Sequence, residues 1–429
     1  MSDLRSMKPE DLQSYVEVLQ KKYEDFKAQK LNYDMSRGKP CSAQLELSAG
    51  ILDALKSDSS FKTADGADSR NYGGIDGIPE AKELFSKMID VDAKEIIIGG
   101  NSSLSMMYDT VSRAMTHGVL GSKVPWGKLP VVKFICPSPG YDRHFSICEF
   151  FNIEMIPVEM RADGPDMDAV EKLVSSDESI KGIWCVPKYS NPDGITYSDE
   201  VVDRFARLRP KAKDFRIFWD NAYAVHHLTD QPDRLKNILS ACKEAGNPDM
   251  VYIFGSTSKI SFAGGGIAMM GASEANIGFI KKQLAIQTIG PDKLNQLRHV
   301  RYFQRFENIE EHMKKHAAIL KPKFDAVLEI LEAELGDKNI AWWSKPNGGY
   351  FISFNTLDGC AKDVVAMAAE AGVIFTKAGA TFPYGKDPHD RNIRIAPTFP
   401  PLEELRKAIE LLCICVQLVS AKKILSSIS

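Results

Sequence analysis

From about residue 95 the chain alternates between two textures. Short β-branched runs at 95–98, 131–136, 153–158, 182–186, 216–219, 251–254 and 266–270 are separated mostly by helix-compatible stretches. A short apolar run bounded by loops reads as a strand covered on both faces, and strands joined through helices lie parallel. The seven runs predict an α/β domain on a mostly parallel seven-stranded sheet. After residue 300 the texture changes. A helical stretch over roughly 301–334 precedes two strand-like runs, 349–354 and 391–396, set among further helices. This predicts a smaller α+β domain over residues 301–429. Residues 9–30 read as an amphipathic helix, followed by an extended arm through Gly38 and Pro40, which a helix cannot cross. That helix has no partner in the sheet pattern. Residues 1–50 are therefore assigned to the small domain and residues 51–300 to the large one.

Composition removes several alternatives. The 429 residues carry a formal net charge of −3, against the basic footprint of a nucleic-acid binder. None of the eight cysteines forms a C-x-x-C pair, so zinc and thioredoxin-type redox sites have no support. Buried free thiols in a reducing compartment are expected. Residues 1–5 lack the apolar core of a secretory signal. The apolar tail, residues 411–419, is interrupted by Gln417 and is far shorter than the roughly 20 residues of a membrane span. A cytoplasmic location without membrane contact is the expectation.

In a parallel sheet, ligands sit beyond the carboxyl ends of the strands, so the residues just past each strand matter most. After the run at 95–98 comes Gly99-Gly100-Asn101-Ser102-Ser103 and then a helix. Glycines admit close backbone approach, and hydroxyls with helix-start N–H groups can hold a phosphate; an ordinary helix cap would use the same residues. After 182–186 comes Asn191-Pro192-Asp193-Gly194, good turn chemistry that can also aim Asn191 at a ligand oxygen. Asp220 ends an apolar strand and is followed by Asn221-Ala222-Tyr223. A carboxylate there is costly without a partner, and no metal-ligand spacing follows, which favours a protonated ring nitrogen. Ser256-Thr257-Ser258-Lys259 ends another strand, where a lysine either snorkels to the surface or is placed for a lowered pKa and imine formation. One ligand needs a phosphate site, a donor to a phenolic oxygen, a carboxylate for a basic ring and an amine for an aldehyde. That ligand is pyridoxal 5′-phosphate (PLP).

The order of these motifs resembles that of the fold-type I, class I aminotransferases. Asn71-Tyr72-Gly73-Gly74-Ile75-Asp76-Gly77-Ile78-Pro79-Glu80 is similar to a stretch of aspartate aminotransferases. The wider text resembles the divergent subgroup Ic more than the common subgroups, through Ser36-Arg37-Gly38-Lys39-Pro40, Gly100-Asn101-Ser102-Ser103-Leu104, Pro139-Gly140-Tyr141-Asp142-Arg143-His144 and the stretch from Gly290 to Arg298. The resemblance implies that Lys259 holds the cofactor and then moves the substrate α-proton, and that Asp220 pairs with the ring nitrogen. It implies that Asn191 and Tyr223 bind the phenolic oxygen and that Tyr141 stacks on the ring. Ser102, Ser103, Ser256 and Ser258 become phosphate-ligand candidates, Asn101 is placed at the cofactor, and Asn191 is placed at the substrate as well. Tyr72 would reach the phosphate of a neighbouring subunit, which implies a homodimer with shared sites. Arg394, in Asn392-Ile393-Arg394-Ile395-Ala396, would bind the substrate α-carboxylate, and Gly38 would let the arm close over it.

One departure stands out. The family's phosphate-contacting arginine after the lysine is absent from Ala263-Gly264-Gly265-Gly266-Ile267. Helix-end N–H groups and hydroxyls could suffice, or Lys293 of a partner subunit could supply the cation. For the distal carboxylate of a dicarboxylic substrate, Arg37, Arg143 and Arg298 are candidates, with Arg37 first because it adjoins Gly38. The resulting expectation is transamination between an amino acid and a 2-oxo acid, with aspartate and 2-oxoglutarate as the pair. An aromatic or broad aminotransferase and a PLP β-lyase are the alternatives. A non-enzymatic regulatory module is the distant one, since the first 35 residues are too few for a DNA-binding domain.

Overall fold

The computed structural model describes residues 3–428. Its main sheet has strands β1 (Ile96–Ile98), β2 (Lys133–Ser138), β3 (Glu154–Arg161), β4 (Gly164–Pro165), β5 (Ile180–Cys185), β6 (Arg216–Asp220), β7 (Val251–Ser256) and β8 (Ala268–Gly271). Their spatial order is β1-β8-β7-β6-β5-β2-β3-β4. Seven of these coincide with the expected runs. The eighth, β4, is a two-residue edge strand antiparallel to β3, too short to leave a periodic signal. Strands β3, β2, β5, β6 and β7 run parallel, and β8 lies antiparallel between β7 and β1.

Every residue of β5 and β6 is buried, as a sheet covered on both faces requires. Alternate side chains serve opposite faces. Phe134, Trp184, Phe218 and Phe254 pack on one face, with the Trp184 and Phe218 ring centroids 4.7 Å apart. Ile135, Ile183, Ile217 and Ile253 fill the other. Helix α2 (Ser103–His117) follows β1, and α3 (Asp142–Phe150) follows β2. The chain order reverses between β2 and β5, so the loops leaving these strands diverge around a crevice.

The two ends of the chain meet in one core. Leu12, Val16 and Leu19 of α1 (Pro9–Ala28) share it with Leu412, Val416 and the rest of the chain's last helix. Beyond the sheet lie α4 (Lys293–Phe303) and α5 (Phe306–Leu335), then an antiparallel sheet of β9 (Ala341–Trp343), β10 (Ile352–Thr356) and β11 (Asn392–Ile395). The expected continuous helix over 301–334 is therefore two helices. The break falls at Gln304, whose φ of 64° ends α4 while its N–H still donates to Val300 O at 2.7 Å. No glycine or proline marks that break in the sequence.

The C-terminal tail also differs from expectation. Residues 411–419 belong to a 27-residue helix, α6 (Leu402–Ile428), which is long and apolar enough by length and composition to cross a membrane. Burial accounts for that apolarity here: Leu411 to Ala421 are all buried, under α1 and α5. Gln417 is buried too and accepts a hydrogen bond from the Tyr15 hydroxyl. All eight cysteines are free and buried.

Candidate active site

Asp220 closes β6 at the carboxyl edge of the sheet and is only 2% exposed. Its Oδ2 accepts from His144 Nε2 at 3.0 Å. Its Oδ1 is buried with no hydrogen-bond partner among the described residues. His144 sits in the first turn of α3, stacked on Trp184 at 4.4 Å and 9°, with the Tyr141 ring edge-on at 4.9 Å. The imidazole is thus fixed from both sides and aims one carboxylate oxygen, leaving the other for a ligand. An unpaired buried carboxylate oxygen is expensive, and a protonated heterocyclic nitrogen would satisfy it.

Lys259 follows β7, with its Nζ 5.0 Å from the Tyr223 ring centroid and 5.7 Å from that of Tyr350. Burial lowers its pKa below the usual lysine value, opposed by the charge of Asp220. A lysine with a weakened proton is a nucleophile and a base in reserve. Tyr223 is buried, and loss of water holds its hydroxyl well above its ordinary pKa, so it remains a donor. His226 fills the space between Tyr223 and Tyr350, and neither of its ring nitrogens has a partner among the described residues. Burial, and then the nearby Lys259 charge, push its pKa far below 6.5, so it stands as a neutral imidazole.

Arg394 projects from β11 and is 8% exposed. Its Nη1 donates to Asp142 Oδ1 at 2.9 Å and to Asn191 Oδ1 at 3.3 Å, while its Nε is buried without a partner among the described residues. One edge of the guanidinium is therefore anchored and the Nε edge is open, the arrangement that suits a planar carboxylate. The Phe351 ring lies 4.9 Å from the guanidinium carbon. Gly38 presses on that same ring: a Cβ there would stand 2.3 Å from Phe351 Cζ. The N-terminal arm thus packs on the ring beside Arg394 only because residue 38 has no side chain.

The hydroxyl residues also converge. Ser256 Oγ and Ser258 Oγ are 3.1 Å apart, and Ser258 Oγ donates to Asn101 O at 3.2 Å. Asn101 Nδ2 in turn donates to Gly264 O at 3.4 Å. Ser102 stands at the N-cap position of α2 without a side-chain cap hydrogen bond and Ser103 begins the helix, whose first-turn N–H groups have no partners within it. Lys293 is engaged elsewhere in its own chain, donating to Gly73 O at 2.8 Å. Next to it Tyr72 stands 82% exposed.

Arg37 and Arg143 are exposed and form no ion pair among the described residues. His144, Asp142, His226 and Tyr350 are site residues that the sequence reading did not assign. For His144 a signal existed: it lies three residues after Tyr141 at a helix start, the spacing that puts two side chains on one face.

The sequence model of the aspartate amino-transferase family matches residues 7–427. A protein of Mycolicibacterium smegmatis grouped with the aminotransferases is 48% identical, over 98% of this chain and 99% of its own. An aspartate aminotransferase of Corynebacterium glutamicum is 44% identical over 98% of this chain and 96% of its own. The crystal structure of an aspartate transaminase from that organism superposes with a TM-score of 0.96 at 43% identity, covering 98% of this chain and 99% of that one. The same fold recurs at 18% identity and a TM-score of 0.71 in an α-aminoadipate aminotransferase of Thermus thermophilus, solved with N-(5′-phosphopyridoxyl)-L-leucine. A site with an open carboxylate oxygen, a low-pKa lysine and a hydroxyl-lined loop fits PLP, and a chain so similar along its whole length to such relatives belongs to the aspartate aminotransferase family of PLP-dependent enzymes.

Proposed function

We propose that this enzyme moves the amino group of aspartate to 2-oxoglutarate, with Lys259 as the residue that binds the cofactor and carries the substrate α-proton. The observation that carries the reading is the unpaired Asp220 Oδ1, held in place by His144 and sharing its surroundings with Lys259. PLP, when bound, supplies a protonated ring that accepts the electron pair released at the substrate α-carbon. Asp220 keeps the proton on the ring nitrogen, and its field survives because the carboxylate is dry. Lys259, made less basic by burial, would accept the α-proton and return it to the carbon on the other side of the amino nitrogen, two bonds away. Tyr223 and the Nδ2 of Asn191, whose Oδ1 already faces Arg394, hydrogen-bond the phenolic oxygen. Tyr141 covers one ring face. Asn101, Ser102, Ser103, Ser256 and Ser258 bind the phosphate.

Arg394 binds the α-carboxylate through its open Nε edge, and Gly38 closes the arm above it. For the distal carboxylate Arg37 is the first choice, as an unpaired cation adjoining Gly38. Support for aspartate comes from the relatives at 44% and 43% identity. A homodimer with shared sites accounts for the exposure of Tyr72 and, close by in sequence to Lys293, of Ile286 and Ile289, 90% and 61% exposed. A cytoplasmic location agrees with eight free thiols. Arg37→Ala tests the substrate assignment: KM for aspartate and glutamate should rise far more than KM for alanine, whereas equal losses for all three would refute the role of Arg37.

A further inference from the structure

The loop that follows Lys259 offers no side chain to a phosphate at residues 264–266, which are all glycine. A doubly charged phosphate held only by hydroxyls and N–H groups lacks a compensating cation. The structure sets one beside that loop. Arg298 Nη2 lies 3.5 Å from the point where a Cβ on Gly265 would stand. Its Nε donates to Asn295 Oδ1 at 2.7 Å, and Asn295 Nδ2 donates to Gly266 O at 2.8 Å. One buried amide therefore ties the guanidinium and the glycine loop together. A second tie runs from His299, one residue on, whose Nε2 meets Ser261 Oγ at 2.9 Å. The other face of the same loop is bound to the hydroxyl cradle through Asn101 Nδ2 on Gly264 O. Arg298 has no carboxylate within ion-pair distance among the described residues. Its charge is uncompensated, half-buried and fixed in position.

We propose that Arg298 is the cation for the cofactor phosphate, approaching from α4 across Gly265 in place of an arginine on the loop itself. With no side chain at residue 265 the space beside the loop is left to the guanidinium, since a Cβ there would already be in van der Waals contact with Nη2. The same geometry removes Arg298 from the residues that could meet a distal substrate carboxylate. Lys293, already bound to Gly73 O, clips the segment bearing Tyr72. The inference rests on the PLP reading of the site and goes beyond it by assigning the anion's partner.

The test compares PLP with pyridoxal, which lacks the phosphate. Apoenzyme prepared from the purified holoenzyme, as wild type, Arg298→Gln and Arg298→Lys, is titrated with each and followed by visible absorbance. Loss of a charge-assisted contact predicts a rise in the PLP Kd of about tenfold or more in Arg298→Gln, partly restored in Arg298→Lys, with the pyridoxal Kd unchanged. An unchanged PLP Kd, or equal losses for PLP and pyridoxal, overturns the assignment. So does a raised aspartate KM with an unchanged PLP Kd. Failure of the wild type itself to bind PLP would instead overturn the reading of the whole site, so the two failures are distinguishable.

Discussion

Asp220 accepts a hydrogen bond from His144 at 3.0 Å through one oxygen and keeps its other oxygen buried and unpaired among the described residues. The carboxylate is oriented by the protein and completed by a ligand. Asp220→Asn keeps the shape and removes the charge that holds the ring proton. Its kcat should fall at least about a hundredfold while PLP remains bound, since preorganised electrostatics is the larger part of such catalysis. His144→Gln should cost less, about tenfold, because the carboxylate stays. Steady-state kinetics with parallel absorbance of bound cofactor checks both. An equal loss in the two variants would contradict this division of roles.

Arg394 and Gly38 meet through Phe351. Arg394→Lys loses the planar fork and should raise KM at least about tenfold for every amino donor, aspartate and alanine alike. Gly38→Ala should act in the same direction, because its methyl would enter the Phe351 ring and displace the floor beneath the guanidinium. A Gly38→Ala enzyme with unchanged KM would show that the arm does not contribute to carboxylate binding.

The residues proposed for this site could be picked out in the sequence because they fall at strand ends. Asn191, Asp220 and Lys259 each come after an apolar run, and a parallel sheet gathers those ends whatever the intervening sequence. Pairings made across the fold could not be read in the same way. The Asp142–Arg394 ion pair joins residues 252 positions apart, and Arg298 reaches Gly265 from another helix. Neither has a local pattern to betray it. The break at Gln304 escaped because apolar periodicity continues through it and the turn residue is neither glycine nor proline. The tail was misjudged because counting an uninterrupted apolar run stops at Gln417, whereas a helix absorbs one buried amide if a partner exists.

That partner is Tyr15, which donates to Gln417 between the first and last helices. Tyr15→Phe leaves a buried amide oxygen unpaired and should lower stability by about 1–3 kcal/mol. Denaturant titration measures it, and a loss below a few tenths would show that the oxygen finds another donor.

Acid should destabilise the fold through its buried imidazoles. Burial holds His299 and His316 near a pKa of about 4, against 6.5 when unfolded. Between those values the unfolded chain binds more protons than the folded one, so stability rises with pH across this window and is lost as pH falls through it. Thermal melts should show Tm dropping from about pH 6.5 towards pH 4, less steeply in His316→Gln. A flat profile across that range would mean that the buried imidazoles accept protons at no cost.

The most direct measurement locates the cofactor's covalent partner. Borohydride reduction of the purified holoenzyme fixes the lysine–cofactor bond, and digestion followed by mass spectrometry identifies the modified peptide. A single phosphopyridoxyl group is expected on Lys259, lost in Lys259→Ala together with the visible absorbance. A label on any other lysine, or none on Lys259 in an active preparation, would contradict the assignment.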